Sequence, residues 1–196
     1  LGSSPHTWSM VDNADLVALA ERHGCMEVRR AQDAGERARL WAGRKGAFGA
    51  MGRVAPDLYV ADVVAPRTRL REIVALSTEI ARERGLKLAN VFHAGDGNLH
   101  PNISYDRRDE DEVRRVLEAG RLIMEACIER GGSLTGEHGV GLEKQAHMCD
   151  VFGDDDLGVM HRVRDAADPE RRLNPGKTLP VRACREARGT GLPTDP

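Results

Sequence analysis

Between Pro56 and Glu137 the chain alternates two kinds of apolar pattern, and that alternation limits the folds open to it. Asp57 to Val64 (DLYVADVV) is short, β-rich and mostly apolar, the pattern of a central strand. Pro66 opens a helix in which Leu70, Ile73, Val74, Ser77, Ile80 and Ala81 recur at helical spacing until Gly85 stops it. Leu86 to His93 reads as a second strand and Leu99 to Tyr105 as a third. Asp109 to Arg130 is a long helix with Val113, Val116, Leu117, Ile123, Met124 and Cys127 on one face, and Gly131-Gly132 ends it. Ser133 to Glu137 is a fourth strand. The order strand–helix–strand–strand–helix–strand predicts an α+β fold, a ferredoxin-like antiparallel sheet with helices on one face. Flanking helices are expected at 12–24, 29–50, 142–151 and 154–167, with Gly43, Gly46 and Gly49 weakening the second. Residues 1–180 read as one domain, and 181–196, ending GTGLPTDP, as a loose tail.

Aromatic residues make up only 4% of the chain, so the core must be built from aliphatic side chains. A net charge of -2 offers no electrostatic footing for nucleic acid or an anionic membrane. No run approaches the ~20 apolar residues of a membrane span, and Leu1 to Met10 lacks the basic-then-apolar order of a secretory leader. The cysteines, Cys25, Cys127, Cys149 and Cys184, form no C-x-x-C pair and read as reduced thiols of a cytoplasmic protein. The first residue is Leu rather than Met, as in a fragment of a longer chain.

Two short runs carry chemistry. The first is His93-Ala-Gly-Asp-Gly-Asn-Leu-His100-Pro-Asn102, between the second and third strands. Asp96-Gly97 is a favoured centre for a two-residue hairpin turn. Counting outward, Gly95 would pair with Asn98, Ala94 with Leu99 and His93 with His100. Directly opposed residues point to one face, ~5 Å apart, so one divalent metal could take both imidazoles. Asn102, two residues beyond His100, lies on the same face. The plainer reading is a pair of polar histidines on an exposed hairpin.

The second run is Gly136-Glu137-His138-Gly139-Val140-Gly141. Three glycines in six residues suggest a backbone that passes close to something. Glu137 and His138 would point to opposite sides if extended, but a bend could turn both toward one site. Glu137 could then add an oxygen ligand to the two histidines, a set that leaves coordination positions open for substrate. His138 would be free for proton transfer. The plainer reading is a glycine-rich connector with a solvated Glu-His pair.

The two runs, with Leu173-Asn174-Pro175-Gly176-Lys177, resemble the three signature runs of the FAD-linked oxidase C-terminal domain in order and separation. Trp41-Ala-Gly-Arg44-Lys45 and Asp57-Leu-Tyr59 resemble upstream elements of that family, and the resemblance covers roughly residues 30 to 185. It is strongest to FAD-linked glycolate oxidase subunits and D-lactate dehydrogenases. It implies a C-terminal substrate and cap domain that works with a separate N-terminal FAD-binding domain, absent from these 196 residues. It further implies that His93, His100 and Glu137 hold a divalent metal, commonly zinc. His138 is implied as the catalytic base, Arg44 as a contact to the substrate carboxylate and Asn102 as a further polar contact. Asn174 is implied near the flavin, with Gly139 and Gly141 letting the backbone approach it or the substrate. Where hydroxyglutarate enzymes of the family carry a lysine, this chain has Val60, which favours a small 2-hydroxy monocarboxylate over a dicarboxylate.

The implied reaction converts a 2-hydroxy acid to a 2-oxo acid, with FAD as hydride acceptor and electron-transfer subunits as further partners. This chain by itself is not expected to hold FAD tightly or turn over. Arg44 also reads as a surface helix arginine, and Asn174-Pro175-Gly176 as a turn. Two rival functions remain at this level: a stand-alone metal-dependent hydrolase, and a non-catalytic metal-binding module. A nucleotide site at Gly95-x-Gly97 lacks the following helix that phosphate binding needs.

Overall fold

The computed structural model describes residues 13–180, the side chains of Asn13, Arg44 and Phe48 excepted. The tail expected at 181–196 lies outside the described residues. The chain divides between Gly49 and Ala50 into two units.

The N-terminal unit contributes helix α1 (Asn13–Arg22) and most of helix α2 (Ala34–Met51). Helix α2 begins five residues later than the composition predicts, because Asp33 caps it. Asp33 Oδ1 accepts the Glu36 N–H at 2.7 Å, and Glu36 Oε2 accepts the Gln32 N–H at 2.7 Å. The two bonds satisfy orphan groups at the helix start. Gly43, Gly46 and Gly49 do not interrupt the helix.

The C-terminal unit carries strands β1 (Asp57–Val60), β2 (Val63–Val64), β3 (Lys87–His93) and β4 (Asn98–Tyr105). Its helices are α3 (Leu70–Glu83), α4 (Glu110–Glu129), α5 (Met148–Val151) and α6 (Asp154–Ala167). β4 is the centre, antiparallel to β3 on one side and to β1 and β2 on the other. The single strand expected at 57–64 is split at Ala61-Asp62, yet its register runs through the gap. Val60 opposes Asn102 and Val63 opposes Leu99, which leaves Asp62 opposite His100.

Alternation along β4 gives the sheet two characters. Leu99, Pro101 and Ile103 face the helices. There they join Ile73 and Ala81 of α3 and Val116, Ala119, Ile123, Met124 and Cys127 of α4 in one aliphatic core. Burying an Ile or Met of this kind contributes roughly 1.5–3 kcal/mol. Helix α4 is capped by Asp109, whose side chain accepts from the N–H groups of Asp111 and Glu112. It approaches β1 closely: a Cβ on Gly120 would fall 2.6 Å from the Tyr59 hydroxyl. Asn98, His100, Asn102 and Ser104 point to the opposite face.

Ser133 to Glu137 forms no strand; only a bridge between Ser133 and Val64 remains. Past that bridge the N–H groups of Gly136, Glu137 and His138 turn to the Asp62 carboxylate instead of a neighbouring strand. The bridge keeps the ferredoxin-like order, with Ser133 beside β2, β2 beside β4 and β4 beside β3. The helix expected over 142–151 is reduced to a 3-10 turn (Gln145–His147) followed by α5. Gly141, at positive φ, and the buried Lys144 hold the preceding stretch in turns. Helix α6 has the predicted bounds. Cys25 and Cys127 are free thiols, exposed and buried respectively, whereas Cys149 is disulfide-bonded, unlike the reduced state expected. Among the described residues no helix is long and apolar enough to cross a membrane.

Candidate active site on the polar face of the sheet

The β3–β4 turn is longer than Asp96-Gly97 predicts. His93 opposes Asn98, Val91 opposes His100, and Ala94 to Gly97 form a four-residue connection. Asp96 N–H donates to His93 O at 3.0 Å, and Ala65 N–H donates to Gly97 O at 2.9 Å. Gly97 has φ +76°, and a Cβ there would fall 2.2 Å from Ala65 O, so this close crossing requires glycine. Two extra turn residues shift the pairing by two, and a shift of two preserves faces. His93 and His100 therefore remain on one face, as diagonal neighbours, with ring centroids 5.6 Å apart and planes at 88°.

Glu137 joins them. Its Oε1 lies 2.9 Å from His100 Nε2 and 3.9 Å from His93 Nε2. One donor atom from each of His93, His100 and Glu137 lies within 4.8 Å of the other two. The His100 side chain is 9% exposed, whereas His93 and Glu137 are about half exposed, so the trio opens outward from a buried floor. The His138 ring stacks on His100 with centroids 5.1 Å apart and planes 14° from parallel. The loop has bent as the glycines allow, and both Glu137 and His138 reach His100.

Asp62 makes that bend, and sequence reasoning missed it. Its carboxylate is fully buried. Oδ2 accepts from Thr135 Oγ1 at 2.7 Å, Gly136 N–H at 2.9 Å, His138 N–H at 3.0 Å and Lys144 Nζ at 3.1 Å. Glu137 N–H donates to both oxygens, at 3.2 and 3.3 Å. Lys144 Nζ also donates to Asp62 O at 2.6 Å. Successive N–H groups converging on one anion form a concave nest. Burial alone would raise the carboxyl pKa; the bonds from His138, Thr135, Gly136 and Lys144 outweigh it and hold the pKa below the ordinary carboxylate value. The available signal was a lone carboxylate inside an apolar strand, a group that must find partners when buried.

Asp62, His100 and His138 also bring ligand atoms within 4.8 Å of one another. Asp62 and His100 are both buried and Asp62 Oδ2 is already taken by donors from Thr135, Gly136, His138 and Lys144, whereas His93 and Glu137 open outward, so His93, His100 and Glu137 are the better donor set.

Asn102 lies on the same face and is fully buried. Its Nδ2 donates to His100 O at 2.6 Å and to Ala89 O at 3.3 Å, and its Oδ1 has no partner. Val60 stands directly opposite Asn102 on this face. Gly139 and Gly141 take positive φ in open space. Gly141 O accepts the Thr178 N–H at 2.8 Å, which joins that loop to the Asn174 run. Asn174, exposed with φ 46°, belongs to a loop that Arg164 ties to α6 through the carbonyls of Leu173, Asn174 and Lys177. Arg44 is on α2 in the N-terminal unit, and its side chain is outside the described part.

Residues 6–178 match the family model described as FAD linked oxidases, C-terminal domain. The chain is 46% identical to the glycolate oxidase subunit GlcD of Escherichia coli over 164 residues, 83% of this chain and 33% of that protein. It is 34% identical over 166 residues to the Bacillus subtilis GlcD subunit, 85% of this chain and 35% of that one. It is 30% identical over 168 residues to the mitochondrial D-lactate dehydrogenase [cytochrome] of Arabidopsis thaliana, covering 85% of this chain and 30% of that protein. The chain thus spans about a third of the length of these relatives. Among solved structures, a 4-ethylphenol oxidase from Gulosibacter chungangensis shares the fold, with TM-score 0.58 and 18% identity over 86% of this chain and 37% of that one. Two histidine-bearing runs on one sheet face and a match along most of the chain lead to one assignment: the chain belongs to the FAD linked oxidases, C-terminal domain family.

Proposed function

We propose that this chain is the substrate- and metal-binding part of an FAD-dependent dehydrogenase that converts a small 2-hydroxy monocarboxylate, glycolate or D-lactate, to its 2-oxo acid. The convergence of His93, His100 and Glu137 on one outward-opening spot, with the His138 ring stacked beside them, carries the reading. Two imidazole nitrogens and one carboxylate oxygen fit a divalent ion such as zinc and leave coordination positions for substrate oxygens. A metal held there supplies Lewis acidity toward the hydroxyl and carboxylate oxygens.

The chain's own groups do the rest. His138, exposed beside the trio, accepts the hydroxyl proton at its imidazole. Asn102 offers an unsatisfied Oδ1 on the same face. Val60, opposite Asn102, gives that part of the face an apolar wall with no charge for a second carboxylate. Gly139, Gly141 and Asn174 line the approach to a flavin carried by an N-terminal domain. When bound, the flavin supplies the hydride acceptor. Electron-transfer subunits and a cytoplasmic setting belong to the same proposal.

The test uses the intact flavoprotein. His93→Ala and His100→Ala are expected to lower metal content and activity together, and normal activity in both would remove the metal from the mechanism. His138→Gln is expected to lose roughly 10²–10⁴-fold in turnover while keeping its metal; unchanged turnover would exclude it as the base.

A further inference from the structure

From the buried polar layer beneath the ligands, we infer that Asp62 is the positioning residue of the site, one carboxylate that sets both the Glu137–His138 loop and the His100 ring. The inference rests on the metal reading above and extends it to a group that touches neither ion nor substrate.

Three observations carry it. First, Asp62 stands opposite His100 in the strand register, on the same face and fully buried. Second, its Oδ2 is crowded by donors from Thr135, Gly136, His138 and Lys144, while Oδ1 accepts only the longer Glu137 bond. Third, the less burdened Oδ1 lies 3.9 Å from His100 Nδ1, a buried nitrogen with no hydrogen-bond partner. At 3.9 Å this is an electrostatic contact rather than a hydrogen bond.

The His100 ring thus has a carboxylate on each side, Asp62 behind Nδ1 and Glu137 at Nε2. An anion behind Nδ1 favours the proton there and leaves the Nε2 lone pair facing His93 and Glu137. A carboxylate behind a ligating imidazole fixes its tautomer and raises its basicity. The same anion fixes the backbone of Gly136, Glu137 and His138, so a single group couples the metal side of the site to its proton-transfer side. Lys144 is the counter-ion that lets the carboxylate remain charged in the interior.

The test is metal affinity in the intact flavoprotein, measured with Zn(II) against a chromophoric chelator. Asp62→Asn combined with Lys144→Met removes both charges of the buried pair, so neither is left uncompensated. The expected result is zinc binding weaker by about 10–100-fold, the loss typical of outer-shell partners. Tyr59→Phe, which breaks the 2.7 Å bond to Glu143, is the control for general loosening and is expected to bind zinc as the parent does. Should the double variant fail to fold, Thr135→Val decides. It removes one donor to Asp62 without altering a charge, and weakening of the same sign is expected. Parent-like zinc affinity in the folded double variant, or in Thr135→Val where that decides, would overturn the positioning role while leaving the metal reading intact. A parent protein that binds no zinc would overturn both.

Discussion

Gly136→Ala separates site geometry from fold stability. An added Cβ would fall 2.6 Å from Asn98 Oδ1, 2.7 Å from Cγ and 2.9 Å from Nδ2. Ordinary carbon contacts begin near ~3.5 Å, so the gap must open by roughly 0.8 Å. Asn98 is buried and held in the ladder between His93 and Val64, which leaves the loop to give way. Overpacking of this kind costs about 1–3 kcal/mol. Gly136 is outside the left-handed region, so the lower entropy of the unfolded alanine chain returns roughly 0.4–1 kcal/mol. The net loss is about 1–2 kcal/mol, or roughly 2–8 °C in Tm for a chain of this length. Glu137 and His138 move with the loop, and misplacement by ~1 Å is worth roughly 10²-fold in turnover. Gly85→Ala is the matched control. It imposes a similar ~1–2 kcal/mol through its φ of +63°, beside only Arg115 Nη1 at 3.8 Å. Thermal unfolding and steady-state turnover of both variants in the intact protein decide the matter. A turnover loss in Gly136→Ala no greater than in Gly85→Ala would refute the argument that the Gly136–Asn98 contact sets the site.

Two further outcomes are expected. Burial pushes the Cys127 thiol up to about 12, with Arg130 opposing only in part, so peptide mapping after labelling at pH 8 should find Cys25 modified in the folded chain and Cys127 modified only after unfolding. The Arg108 guanidinium, helped by the Arg108 N–H, holds the partly exposed Asp106 carboxyl at about 2. The depressed folded value means its stabilising contribution is present above about pH 4 and is lost as the pH falls toward 2; in Arg108→Ala its carboxyl NMR titration should move back up toward ~3.9.

The fold was legible wherever apolar period and element length agreed. Helices α3, α4 and α6 and strands β3 and β4 lie within a few residues of where Ile73, Val116, Leu157 and Leu99 place them. The strand expected at Ser133 to Glu137 failed because its donors have a nonlocal acceptor: Asp62 takes three successive N–H groups that a ladder would have used. That acceptor is more than 70 residues away in the chain, beyond the reach of a local pattern. The His93–His100 pairing was misjudged by two positions because Asp-Gly marks a turn without fixing its length, yet the two side chains still share a face. His93, His100, Glu137 and His138 could be gathered from their spacing; Asp62 signalled only that it needs partners, and neither it nor Lys144 names the other across 82 residues of chain.

β4 divides its duties by parity. Positions 99, 101 and 103 fasten the helices, while 98, 100, 102 and 104 face the candidate site. Both sets are buried, so a substitution at either parity is felt as packing, but at an odd position it meets the helices and at an even one the polar layer. One strand thereby gives each face of the sheet its own set of positions, and the two layers are open to change one at a time.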